Sequence, residues 1–149
     1  MIATHAATLF GLGRVRFAPG TAASLATLPV AWIAMMVAGQ FGVLALGLAT
    51  AAAGFWASDV YARQARARDP SECVIDEAAG QFLTCAAAPP TLVGFALAFA
   101  LFRLFDISKL WPVSAAERLR GGLGIMADDL VAGLIAGLIV AVLDNVGLI

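Results

Sequence analysis

Two pairs of adjacent carboxylates precede long uncharged stretches of this 149-residue chain. Asp76 and Glu77 lie in VIDEAAG, and Asp128 and Asp129 lie in GIMADDLVAG. Carboxylate oxygens are the ligands that hard cations such as Mg²⁺ prefer, together with water and substrate phosphate. Acids near a helix start also meet free backbone amides, so each pair alone could equally be a helix cap.

A third acid stands in a short charged stripe. In FRLFDISK, Arg103, Asp106 and Lys109 follow one another at three-residue spacing, which places them on one face of a helix. The stripe suits a carboxylate ligand flanked by two cations that bind a phosphate, or a ladder of interfacial salt bridges. Because only 13% of the residues are charged, the two pairs together with Asp106 favour a metal site, since ionisable groups at a membrane tend to be functional.

The elements that must position these acids are apolar. The hydrophobic fraction is 62%, against roughly 45–50% in soluble domains, so we expect an all-α, polytopic integral membrane helical bundle. Its length predicts a single domain, residues 1–149. The net charge of −1 provides no basic face for phosphates and argues against a nucleic-acid partner.

The uncharged runs predict the membrane helices. Residues 17–58 carry no charge and suffice for two crossings of about 20 residues, which we place near 22–38 and 42–58, with a turn at 38–42. The last span is predicted at 130–148.

The run at 78–102 contains Pro89 and Pro90 at its middle, and prolines end helices. It is either one straight crossing or a helical hairpin that returns to the same side. With a hairpin, all nine Lys and Arg residues lie on one side; with a straight crossing they divide five to four. Because cytoplasmic loops collect Lys and Arg, the hairpin is favoured, with the N-terminus inside and the C-terminus outside. Only the hairpin allows the two acid pairs and Asp106 to converge at one site.

Other motifs define what chemistry remains. RFAPGTAAS, residues 16–24, is a Pro-Gly turn into a helix with Thr21 as a plausible N-cap; such a turn can hold an anion on free amides or simply start a helix. Neither cysteine has the arginine spacing of a cysteine-dependent phosphatase, and no nucleotide-binding P-loop is present. The carboxylates and the few cations that remain suit metal-assisted displacement at phosphorus.

FAPGTAASL, VIDEAAG, FRLFDISKLWP and GGLGIMADDLVAG, in this order, resemble the phosphatidylglycerophosphatase A family over about residues 9–142. The resemblance implies a bacterial inner-membrane, Mg²⁺-dependent phosphatase with its active site at the cytoplasmic face. It further implies a phospholipid substrate, phosphatidylglycerophosphate, whose terminal phosphate is removed to give phosphatidylglycerol.

The resemblance also implies the site residues. The expected catalytic residues are Asp76, Glu77, Asp106, Lys109, Asp128 and Asp129. The expected substrate-binding residues are Gly20, Thr21, Arg103 and Lys109. Our first choices for Mg²⁺ ligands are Glu77, Asp106 and Asp129. The alternative from another class is a small membrane cation-binding protein or transporter that uses the same carboxylates.

Overall fold

The computed structural model describes residues 1–149 and contains helices without any strand. The helices are α1 (Ile2–Ala7), α2 (Pro19–Ala65), α3 (Ile75–Ala86), α4 (Leu92–Ser108), α5 (Val113–Ala116) and α6 (Gly122–Asn145), with a 3₁₀ turn at Leu12–Arg14. Of these, α2 and α6 are long and apolar enough to cross a membrane. The expected all-α class is therefore confirmed.

Helix α2 folds back on itself at Gly39. This residue has φ 64° and ψ −165°, a conformation that is essentially restricted to glycine. Gly20 lies against Glu77 and Gly54 lies near Ile75, although the two glycines would be about 50 Å apart on a straight helix. The two arms, 19–38 and 40–65, are therefore antiparallel, as the predicted turn at 38–42 requires.

The prolines at 89 and 90 lie in the turn between α3 and α4. Helix α4 begins at Leu92, where the Thr91 hydroxyl accepts a hydrogen bond from the Gly94 amide at 2.9 Å. The first turn of α3 and the last turns of α4 lie at the same end of the bundle, because Glu77 and Arg103 both approach Gly20. The chain therefore reverses as the hairpin prediction requires.

Helix α6 begins eight residues before the predicted start at 130. The glycines of GGLGIM permit this: Gly122 packs against the Phe55 carbonyl and Gly124 against the Leu119 carbonyl, leaving no room for side chains. Asp128 and Asp129 consequently lie in the second turn of α6. The capping interpretation of this pair is therefore wrong.

The basic residues gather at one end of the bundle. They lie in or beside four segments that meet at this end: the 3₁₀ turn, the end of α2, the end of α4 and the loop before α6. Helix α6 then runs away from this end, since Gly137 packs beside Ala87 at the far end of α3. Asp144 lies near the opposite end, in the last turn of α6. The charge asymmetry inferred from the hairpin is thus present in the fold.

Candidate active site

Three carboxylates form a close group at the charged end of the bundle. Asp76 and Glu77 in the first turn of α3 and Asp129 in α6 each place an oxygen within 4.8 Å of the others. Asp76 and Asp129 are only 7% and 3% exposed, and Glu77 Oε2 is buried without a hydrogen-bond partner. Buried carboxylates of this kind need a compensating charge, so this all-oxygen donor set fits a hard divalent cation.

A close crossing of α3 and α6 brings these acids together. A Cβ atom on Gly80 would lie 2.5 Å from the Asp129 carbonyl, and one on Gly133 would lie 2.5 Å from the Gly80 carbonyl. Thr84 fastens the crossing by donating from its hydroxyl to the carbonyls of Gly80 and Gly133, at 3.0 and 3.1 Å. Gly80 and Gly133 therefore allow the close packing of α3 against α6.

A cavity of about 250 Å³ opens beside the three carboxylates. It is lined by all six predicted catalytic residues and by Gly20 and Arg103. Thr21 is the exception among the predicted site residues: it does not line the cavity. Nor is Thr21 the N-cap of α2, because Ala18 occupies that position and Pro19 begins the helix.

Asp106 lies in the same cavity but has a different partner. On α4 it forms an ion pair with Arg103, three residues earlier. Asp76, rather than Asp106, completes the close group with Glu77 and Asp129. The close group thus contains Glu77 and Asp129 of the expected ligand set together with Asp76, while Asp106 lines the same cavity beside Arg103.

Arg103 is nearly enclosed, with 14% of its side chain exposed. Its Nε is buried and has no acceptor, and its Nη1 faces the backbone at Gly20, 3.3 Å from the position of a Cβ there. A Cβ on Gly20 would also collide with Glu77. A side chain where α2 begins would therefore displace the Glu77 carboxylate. Arg103, whose Nε has no acceptor, faces that helix start, which is favourable for an oxyanion.

Lys109 closes the cavity on another side. Its Nζ donates to Asp128 at 2.7 Å and to Glu117 at 2.9 Å. Burial lowers the pKa of Lys109, but the two carboxylates outweigh that effect and raise the pKa above its ordinary value. Lys109 is therefore a permanent cation at neutral pH, and its link to Glu117 was missed from the sequence because no motif couples the two residues.

Cys73, Asp69 and Ser71 also line the cavity, and none of the three is among the predicted site residues. Cys73 lies in the loop before α3, and burial raises the pKa of its thiol to about 11, although a hydrogen bond to Ser58 acts in the opposite direction. A thiol is nucleophilic as the thiolate. Cys73 thus lines the cavity with a protonated, weakly nucleophilic thiol at neutral pH.

A sequence model described as phosphatidylglycerophosphatase A matches residues 5–144. The chain belongs to the phosphatidylglycerophosphatase A family. The family resemblance inferred from the four motifs is confirmed, and membership makes the chain a phosphatase.

Three relatives are similar to this chain over most of their own length. The chain is 33% identical to "Phosphatidylglycerophosphatase A" of Escherichia coli, over 85% of this chain and 74% of the relative. It is 35% identical to the Haemophilus influenzae protein of the same name, over 88% and 82% of the two chains. It is also 37% identical to a Bacteroides thetaiotaomicron protein named "Putative phosphatidylinositol-3-phosphatase", over 91% and 89%. No solved structure matches the chain.

Proposed function

We propose that this protein hydrolyses the terminal phosphate of phosphatidylglycerophosphate, a membrane phospholipid, to give phosphatidylglycerol in an Mg²⁺-dependent reaction. The single observation that carries the proposal is the group of three buried carboxylates beside an arginine with unused donors. Cation ligands and phosphate donors in one cavity are the two requirements of metal-assisted phosphoryl transfer.

Asp76, Glu77 and Asp129 would hold the Mg²⁺ ion. When bound, the ion supplies charge neutralisation at the phosphoryl oxygens and lowers the pKa of a coordinated water. The unpartnered Glu77 Oε2 and the low exposure of Asp76 and Asp129 support this assignment.

The protein's own cations bind the phosphoryl group. Arg103 would direct its unpartnered Nε–H to the phosphoryl oxygens, while its ion pair with Asp106 through Nη1 orients the guanidinium. The start of α2 at Gly20 lies beside the same position and adds the positive end of a helix dipole. Lys109 is held in place by Asp128 and Glu117, so its charge remains at the cavity wall throughout turnover.

The bundle would lie in the bacterial inner membrane with this cavity at the cytoplasmic face. Helices α2 and α6 have the length and hydropathy for crossing, and the basic residues at the cavity end agree with a cytoplasmic position. The site lies at an end of these helices, whereas a transporter usually keeps its site near the bilayer midplane. This placement favours the enzyme over the cation-transporter alternative.

Phosphate release by the purified protein in detergent tests the proposal. We would compare phosphatidylglycerophosphate with phosphatidylinositol 3-phosphate, because one relative carries the name of a phosphatase for the latter. We expect phosphate release from phosphatidylglycerophosphate that requires Mg²⁺ and stops when a chelator is added. Faster release from the inositol lipid, or release that persists without a divalent cation, would contradict it.

A further inference from the structure

A second cavity of about 220 Å³ adjoins the catalytic cavity. Asp69 and Asp128 line both cavities, so the two are neighbours with a shared wall. The second cavity lies between the loop after α2, the loop before α6 and the first turns of α6. Its volume is below the roughly 300–1,000 Å³ of sites for drug-sized ligands, which suits part of a headgroup rather than a whole lipid.

The lining of this second cavity is polar and carries both signs of charge. Arg68 and Arg118 provide guanidinium donors, and Asp69, Glu117 and Asp128 provide carboxylate acceptors. Arg68 also donates to the Glu117 carbonyl at 3.2 Å, which joins the two sides of the cavity. Neighbouring donors and acceptors match hydroxyl groups, because each hydroxyl both donates and accepts.

Lys109 stands at the boundary between the two cavities. It donates to Asp128, which both cavities share, and to Glu117, which lines only the second. A phosphoryl group held by Arg103 in the first cavity therefore has a polar space beyond Lys109. In phosphoryl transfer the leaving oxygen lies roughly in line with the attacking one, so the released alcohol needs a space of its own.

We propose that the second cavity binds the polyol of the phosphorylated lipid headgroup, the alcohol from which phosphate is removed. The inference rests on the proposed function and deepens it, because it assigns recognition of the headgroup to Arg68, Arg118 and the carboxylates around them. Hydrolysis itself depends on the first cavity, and selection among hydroxylated headgroups depends on the second.

The test is competitive inhibition of phosphatidylglycerophosphate hydrolysis by two soluble probes. Glycerophosphoglycerol carries the headgroup polyol without a phosphomonoester, and inorganic phosphate carries only the transferred group. We expect Arg68→Ala and Arg118→Ala to raise the inhibition constant of glycerophosphoglycerol about tenfold or more, the loss of a charged hydrogen bond. The inhibition constant of inorganic phosphate should change less than about twofold, because its contacts lie in the first cavity.

Matched controls are Arg66→Ala and Arg120→Ala, exposed arginines in the same two loops that do not line the cavity. For both control variants, the inhibition constants of glycerophosphoglycerol and of inorganic phosphate should equal those of the wild type. The inference is overturned if glycerophosphoglycerol does not inhibit the wild type, if all four variants respond alike, or if both inhibition constants rise together. Absence of phosphate release by the folded wild type would instead overturn the proposed function.

Discussion

Gly20 occupies the point where the start of α2 meets Glu77 and Arg103. Any side chain there collides with the Glu77 carboxylate and crowds the arginine. Both contacts belong to the proposed chemistry, so the residue affects a metal ligand and a phosphate contact at once.

We predict that Gly20→Ala lowers kcat for phosphate release on the order of 10²-fold, because displacements of about 1 Å have such effects. The measurement is steady-state hydrolysis of phosphatidylglycerophosphate by the purified variant. Gly137→Ala is the control, since its Cβ would meet neighbours at ordinary distances of 3.4–3.5 Å. A Gly20→Ala variant with wild-type kcat would refute the geometry.

Cys73 offers a test of the nucleophile. Because the pKa of its thiol is raised to about 11, the thiol is protonated at neutral pH and cannot attack phosphorus efficiently. We predict that Cys73→Ala keeps kcat within about threefold of wild type at pH 7.5, a small effect expected from packing alone. A folded variant with no measurable turnover would mean that the thiol takes part.

At this scale the sequence predicts which residues meet but not their pairing. All six predicted catalytic residues line one cavity, as expected from their positions at helix ends. The exchange of Asp76 for Asp106 in the close carboxylate group depends on which helices cross most closely. Nothing in the local sequence shows that α6 crosses α3 at Gly80, whereas the three-residue spacing of Arg103 and Asp106 already indicates their ion pair.

The element that places Asp129 is the crossing of α3 and α6. Backbone contact at Gly80 and Gly133 leaves no space for a methyl group, and Asp129 lies one helical turn before Gly133. Separation of the two helices would move Asp129 away from Asp76 and Glu77.

We predict that Gly133→Ala lowers kcat by 10-fold or more, about the effect of a misplaced ligand, and raises the Mg²⁺ concentration needed for half-maximal activity. The readouts are a Mg²⁺ titration of activity and the Tm in detergent. Gly137→Ala, one turn further along the same helix, should leave both nearly unchanged. Equal Mg²⁺ titrations for Gly133→Ala and wild type would contradict this role of the crossing.

Helix boundaries show where sequence patterns stop being informative. Charge-free runs and the two prolines indicate where the two chain reversals lie, and the distribution of Lys and Arg favours the hairpin over a straight crossing at 78–102. The start of α6 at Gly122 could not be predicted from composition, since glycines usually favour loops. Here they are required by contact with α2 and the loop before α6, which is tertiary information.

For the whole molecule, the decisive property is that the basic residues and the proposed catalytic groups share one end of the bundle. The topology that we propose from the Lys and Arg distribution would place that end in the cytoplasm and the C-terminus outside. Both native cysteines are buried, so single introduced cysteines can report sidedness.

We predict that Asp144→Cys reacts with a membrane-impermeant maleimide in intact cells, whereas Arg120→Cys reacts only after permeabilisation. Both positions are exposed and lie at opposite ends of the bundle. The wild-type chain provides the background. Labelling of position 120 from outside, or of both positions from the same side, would contradict the topology.

We propose that the carboxylate group of Asp76, Glu77 and Asp129 is the catalytic centre. Its most direct test is phosphate release from phosphatidylglycerophosphate by wild type and Asp129→Asn, each measured with Mg²⁺ and with chelator. The exposed, distant Asp144→Asn serves as control. We expect Mg²⁺-dependent release by wild type and control, and a loss on the order of 10³-fold in folded Asp129→Asn. Wild-type turnover by folded Asp129→Asn would contradict it.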